Sequence, residues 1–535
     1  MQNPPTVSTA LRKLLERVDN EELILPEIQR DFIWQKRSVM LLFDSLFRGL
    51  PIGHMLVWKA KRAVAARAFH GRRLRTGHVL ENFYGYLLDG QQRLTALSRV
   101  RDGDEEYPLM FCTWPKREED GDDTFVWQAK WNTTDPWYVR VSDVLQNRFD
   151  LLGYLKNIQA NEYYETAFEQ RMHSDLVRLT QILDYPVGVI EYETEHYREA
   201  TQVFIRFNST GKRLSKGDLF LAELAVQVPG LATKDLQRVA QKHPNFEFTM
   251  PFLTQCLLAV CTGRLKTKAK EAWKDENKNE YTPAQIKDAW RKTERALEHV
   301  IRFLTGTVRW QSADLIPSFN ALIPLIVIAA ENNGITPREA ELARRWLLLA
   351  GVRAHFSGSV HSEIDRILRR LKQKMSVREL WNATARSLRK LIPSDFQVSR
   401  ISGPVTSTYL SMLAEHDARD WKDRHFRLDG KVHGHNAQLQ IHHFFPKSLL
   451  KKHGRGEDVV NVFGNYVVIS KDSNLDVLAE EPATYMNRIP ISKSELQKQC
   501  IPLDRNLWHV ERYEEFLKER CRLLAAAANA FLGHQ

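Results

Sequence analysis

Two adjacent histidines, His442 and His443, stand near the end of the apolar run Leu439-Gln-Ile-His-His-Phe-Phe-Pro446, and Asn461, Asn465 and Asn474 follow. Cutting a phosphodiester bond needs a base that takes a proton from water and a cation that stabilises the developing charge. Neutral imidazole suits the first task because it titrates near working pH. Successive side chains of a strand face opposite ways, so two neighbouring histidines can carry two separate tasks.

The surrounding sequence supplies elements that would position these groups. A short strand delivers the histidines to a turn stopped by Pro446, and Tyr466-Val-Val-Ile469 reads as the partner strand of a hairpin. Nine positions separate Asn465 from Asn474 (474 − 465), enough for one short strand and a turn. Asp472-Ser-Asn-Leu475 then offers capping residues for a helix. Strand, loop, strand and helix, with His in front and Asn behind, is the ββα arrangement of a one-metal phosphodiesterase site.

This stretch resembles the HNH (His-Me finger) nucleases. The resemblance implies His443 as general base, His442 and Asn474 as metal ligands, and Asn465 as the brace of the loop that orients His443, with Asn461 its rival. Many members of that class carry an acidic residue where this chain has His442. Imidazole suits transition metals such as Mn better than Mg, so the expected cofactor is a divalent metal, Mg or Mn. No CxxC pair lies nearby, which excludes the zinc-stapled subtype. His433 and His435 have ligand chemistry too, but the family places its ligands later.

A second stretch with chemical potential is Phe83-Tyr-Gly-Tyr-Leu-Leu-Asp-Gly-Gln-Gln-Arg-Leu-Thr-Ala-Leu97. An apolar strand ends at Asp89-Gly90, and a helix begins at Gln91. Such a junction gathers free backbone N–H groups and the positive end of a helix dipole, a geometry that binds phosphate. Gln91, Gln92 and Arg93 would occupy the first turn, where amide and guanidinium groups reach phosphate oxygens. Asp89 would hold a cation or position a water.

Pro26-Glu-Ile-Gln-Arg-Asp-Phe-Ile-Trp34, Asp89-Gly-Gln-Gln-Arg-Leu-Thr95 and Val203-Phe-Ile-Arg-Phe-Asn-Ser-Thr-Gly-Lys-Arg-Leu-Ser215 together look like the motifs of GmrSD-type restriction enzymes. That resemblance implies a ParB/sulfiredoxin-like N-terminal domain that binds and hydrolyses a nucleoside triphosphate. It also implies a C-terminal HNH-like domain and cleavage of modified phage DNA. Gln29, Arg30, Asp89, Gly90, Gln91, Gln92 and Arg93 would line the nucleotide site, and Arg206, Asn208 and Gly211 its far wall. For Gln29 and Arg30 the competing reading is an internal polar clamp.

The expected fold class is α+β and multidomain: residues 1–225 as the nucleotide-binding domain, 226–400 as a helical region contacting DNA, and 401–535 as the nuclease domain. Among the finer expectations are a first helix over 8–18, a strand from Phe125 to Trp131, and an edge strand beginning near Pro186. Basic stretches at Arg264–Lys278, Arg366–Lys374 and Lys447–Arg455 are phosphate-contact candidates, as is the basic loop 60–80. Net charge of +11 fits a polyanionic partner. Five scattered cysteines, no signal-like N-terminus and no apolar run near 20 residues point to a cytoplasmic protein, not a membrane one. Oligomeric state stays open, a homo-oligomer included. Two other functions compete: a nucleotide-switched DNA-binding regulator that does not cut, and an RNA-directed nuclease. The intact His-His-Asn-Asn set argues against the first, and the lack of an RNA-binding signature against the second.

Overall fold

Strict alternation along two strands explains why this sequence builds a sheet covered on both faces. In β3 (Met55–Lys59), Met55 and Val57 join one apolar core while Leu56 and Trp58 join another. In β5 (Gly85–Asp89), Leu87 faces the first core, and Tyr86 and Leu88 the second. The computed structural model describes residues 4–29, 32–60, 64–69, 83–114, 124–161, 164–166, 168–208, 214–268, 271–352, 360–372, 374–384, 390–397, 404–428, 439–470, 473–474 and 480–532. Its mixture of helices and sheets is consistent with the α+β class.

The chain folds as two units, Met1–Gln237 and Arg238–Gln535. The first holds a six-stranded mixed sheet in the order β1-β9-β3-β5-β2-β4. The strands besides β3 and β5 are β1 (Thr6–Ala10), β2 (Leu23–Pro26), β4 (Ala66–Arg67) and β9 (Pro186–Glu193). Helices Leu11–Asp19, Lys36–Phe47 and Gln91–Asp102 cover one face through Leu14, Phe43, Leu94 and Leu97. Helices Tyr197–Asn208 and Lys216–Gln227 supply Ala200, Phe204 and Ala222 to the other. A smaller antiparallel sheet is built from β6 (Leu109–Cys112), β7 (Phe125–Trp127) and β8 (Tyr138–Arg140).

Three expectations change here. Residues 6–10 form a strand before the first helix, because β1 pairs antiparallel with β9. The strand starting at Phe125 stops at Trp127, and Lys130–Thr133 is a helical turn. Asn132 enforces the stop by accepting from Ala129 N at 2.7 Å and donating to Trp127 O at 3.0 Å. Finally, β9 is internal rather than at an edge. Pro186 is its first residue and faces Ala10 at the end of β1, where a missing N–H is tolerated.

The first unit extends past its sheet-covering helices to Gln237. Buried Glu27 accepts hydrogen bonds from Gly230 N and Thr233 N, both at 2.8 Å, and so ties residues 230–233 to the first unit. The helices beyond it share a unit with the C-terminal region. Trp310 Nε1 donates to Ser411 Oγ at 2.7 Å, and Arg345 Nε donates to Leu532 O at 2.7 Å. The same unit contains the apolar helix Leu322–Asn332, with Ile323, Leu325, Ile326 and Ile328 buried. No described helix is long and apolar enough to cross a membrane.

Candidate functional site

The hairpin of β10 (Leu439–His443) and β11 (Tyr466–Ser470) sets His442 opposite Val467 and His443 opposite Tyr466. Its position is fixed by the residues immediately after the histidines. Phe444 and Phe445 are fully buried, and Phe444 stacks on Phe516 with ring centroids 4.8 Å apart. Tyr485 Oη donates to Phe444 O at 2.6 Å. Asn465, also fully buried, acts on backbone: Oδ1 accepts from Phe445 N at 2.9 Å, and Nδ2 donates to Phe445 O and Val460 O. It therefore braces the loop, while a different amide meets the catalytic candidate.

That amide is Asn461, whose Oδ1 lies 3.1 Å from His443 Nε2. A carbonyl oxygen only accepts, so this contact is a hydrogen bond when Nε2 carries the proton, the tautomer that leaves the lone pair on Nδ1. The Tyr466 ring packs 4.6 Å from the imidazole. Burial pushes the His443 pKa below the usual imidazole value; Asn461 pulls it back up in part, and the Lys447 charge pushes it further down. The ring is thus neutral at working pH, as a base must be.

His442 is held down more strongly, to about 4, by burial and by its neighbour His443, against a hydrogen bond with the Asn474 side chain. Its Nε2 is buried and has no hydrogen-bond partner among the described residues. A neutral imidazole with a buried, unpartnered nitrogen beside an amide fits a divalent cation of the borderline type, and these are the two residues expected to hold one.

Asp420 positions Asn474 through its neighbours. Its Oδ1 accepts from Ser470 N at 2.6 Å, and its Oδ2 accepts from Ser473 Oγ at 2.6 Å. The end of β11 is thereby joined to the residue before Asn474. Burial pushes the carboxyl up, but hydrogen bonds from Ser473, Ser470, Asp423 and Lys422 outweigh it and hold the pKa below the usual value. His433 and His435 lie outside the described residues.

Basic side chains around the hairpin are paired with carboxylates. Lys447 and Lys451 share Glu457, Arg455 pairs with Glu514, and Arg488 with Glu480. In the helical region Arg264 donates to the carbonyls of Glu271 and Lys274, and Lys372 pairs with Glu276. Among the described residues of that run, Arg264, Lys266, Lys268, Lys274 and Lys278 lie outside the α-helices, so no single helix face presents them.

The junction at the end of β5 gathers Gln29, Asp89, Gly90, Gln92 and Arg93, but with a different outcome. Gly90 is left-handed at φ 102°, and a Cβ there would meet Met55 Cγ at 2.9 Å. Gln29 is buried and donates to Leu87 O at 3.0 Å and Leu88 O at 2.6 Å. Gln92 Oε1 accepts from Ile33 N at 2.9 Å. Arg93 donates to Ile52 O at 2.6 Å, His54 O at 2.8 Å and Asp89 Oδ2 at 2.6 Å. Arg93 and Gln29 thus donate to main-chain carbonyls at the strand ends, where the sequence offers a phosphate site for both and, for Gln29 and Arg30, an internal polar clamp. Burial lowers the Arg93 pKa, and Asp89 opposes that shift. Gln91 is buried in the first turn. Arg206 is exposed on its helix, and Asn208 Nδ2 donates to Phe204 O at 2.9 Å within the same helix. Arg30 and Gly211 lie outside the described residues.

Comparison with known proteins agrees with the N-terminal reading at the level of the domain. The chain is 21% identical over 523 residues to uncharacterized protein MJ0686 of Methanocaldococcus jannaschii, covering 90% of this chain and 86% of that protein. Residues 11–225 match the family described as GmrSD restriction endonuclease, N-terminal domain, which supports the GmrSD family and an endonuclease of restriction type.

Proposed function

We propose that this protein is a nucleotide-regulated, metal-dependent DNA endonuclease that cleaves modified foreign DNA, with an HNH-type site at the end of the β10–β11 hairpin. The observation that carries the reading is the pairing of a neutral, Asn461-oriented His443 with a His442 whose buried Nε2 has no partner among the described residues. His443 Nδ1 takes the proton of the attacking water, and the Nε2–H bond to Asn461 stabilises the imidazolium that forms. His442 Nε2 and the Asn474 amide would hold the divalent ion, which when bound supplies Lewis-acid stabilisation of the phosphate charge. Asn465 keeps the loop shape, and Asp420 keeps Asn474 in place.

The N-terminal domain would bind a nucleoside triphosphate at the helix start after Gly90, where first-turn N–H groups suit phosphate. Arg93 and Gln29 would act there by shaping the junction rather than by touching the nucleotide. A host-resident nuclease must be held off its own DNA, and a ligand does this only by binding two states unequally. The test is cleavage of modified and unmodified DNA by the full chain, with and without each nucleoside triphosphate. The proposal expects cleavage restricted to modified DNA and altered by at least one nucleotide. Cleavage indifferent to all four would leave the N-terminal domain as a recognition module only.

A further inference from the structure

Asn461 orients His443 only if its own amide is held with oxygen towards the ring. Rotated by half a turn, the amide would present N–H to Nε2, which would then need the lone pair, and the proton would move to Nδ1. Two contacts oppose that rotation. Tyr466 Oη donates to Asn461 Oδ1 at 3.5 Å, and Asn461 Nδ2 donates to Glu457 Oε2 at 3.3 Å. Glu457 side chain is 61% exposed, so it would ordinarily sample many rotamers. Here its other oxygen is held by Lys447 Nζ at 3.2 Å and Lys451 Nζ at 2.8 Å. The two ammonium groups also hold its carboxyl pKa down at about 2, which keeps it an acceptor throughout the working range.

We propose that Glu457 is a positioning residue that acts through Asn461: it fixes the amide so that His443 keeps the Nε2–H tautomer with Nδ1 free. The inference rests on the nuclease reading above for its consequence in catalysis, but not for the tautomer itself. It also separates two jobs that a carboxylate near a polyanion would otherwise confuse. Because Glu457 engages Lys447 and Lys451, removing it frees two ammonium groups for phosphate while loosening the base. Turnover should then fall as DNA binding tightens, the reverse of what loss of a phosphate contact produces.

The experiment uses the metal-free full chain labelled with 15N-histidine at about pH 8.5, where imidazole is neutral. His443 signals are assigned by their loss in His443→Gln. The parent should show Nε2–H at His443, Glu457→Ala a mixture of both tautomers, and Glu457→Gln, which retains an acceptor, the parent pattern. In single-turnover cleavage of modified DNA, Glu457→Ala should cut about tenfold more slowly, the order of one lost orienting hydrogen bond. Its KM should fall, and the salt dependence of its DNA affinity should steepen by up to about two charges. Glu457→Gln should restore the rate while keeping the lowered KM. An unchanged tautomer and rate in Glu457→Ala, or equal losses in both variants, would overturn the inference. A parent that cuts nothing, yet shifts tautomer in Glu457→Ala, would support it and overturn the nuclease reading.

Discussion

The ends of β5 and β10 look alike in sequence, each an apolar strand running into a cluster of polar side chains, and they differ in where the hydrogen bonds go. At the end of β5, Gln29 and Arg93 donate to main-chain carbonyls, and Arg93 also closes on Asp89. At the end of β10, Asn465 also bonds to backbone, but His443 engages Asn461 and Asn461 engages Glu457. One ring nitrogen there, His442 Nε2, has no partner among the described residues although it is buried. Polar groups satisfied by backbone hold a shape. A buried one left unsatisfied calls for an explanation, and the proposed one here is a bound cation.

The contrast is broken or sharpened by substitution. The largest effect belongs to His443→Ala, which removes the base and should lower DNA cleavage by about 10² or more without changing thermal unfolding. A smaller loss, of order tenfold to 10², is expected of His442→Ala, accompanied by weaker Mn binding in calorimetry. The parent should work at least as well with Mn as with Mg; activity with Mg alone would speak against His442 as a ligand.

Arg93→Ala should behave oppositely. It leaves two carbonyls and the Asp89 carboxylate without their donor, so we expect the first unit to lose about 2–3 kcal/mol, read by denaturant unfolding. Any loss of nucleotide binding should follow that unfolding. If Arg93→Ala stays as stable as the parent yet loses nucleotide, Arg93 touches the ligand and the clamp reading is wrong.

How much of this was legible in the sequence follows from the range of the contacts. The β10–β11 pairing and the juxtaposition of His442 with Asn474 follow from strand periodicity and short spacing, and both were expected. The choice between Asn461 and Asn465 was not decidable, because both lie in the one loop and only its fold shows which amide faces the ring. Asp420 was missed because its contact with Ser470 crosses 50 positions with no motif to mark it. The main-chain partners of Arg93 were not legible, because a sequence places a residue in a helix's first turn without saying which way its side chain points.

Two pH effects are smaller still. Asp420 has a folded pKa below its unfolded value of about 3.9, so its contribution is present above about pH 4 and is lost as pH falls through the folded value. Asp420→Asn should therefore reduce stability at neutral pH, and the difference from the parent should shrink in acid. His443 must be neutral to accept a proton, and its pKa is lowered, so the acid limb of cleavage should lie below about pH 6.5. A limb displaced above that value would mean the titrating base is another group.

Metal dependence of cutting at the hairpin is tested most directly by chelation and add-back. The parent is stripped with EDTA, then given Mn or Mg, and its cleavage of modified DNA is followed beside that of His443→Ala. We predict no cleavage in EDTA, full recovery with Mn in the parent, and at least a hundredfold slower cleavage in the variant. Cleavage that persists in EDTA, or that His443→Ala performs at the parent rate, would contradict an active site at the end of β10.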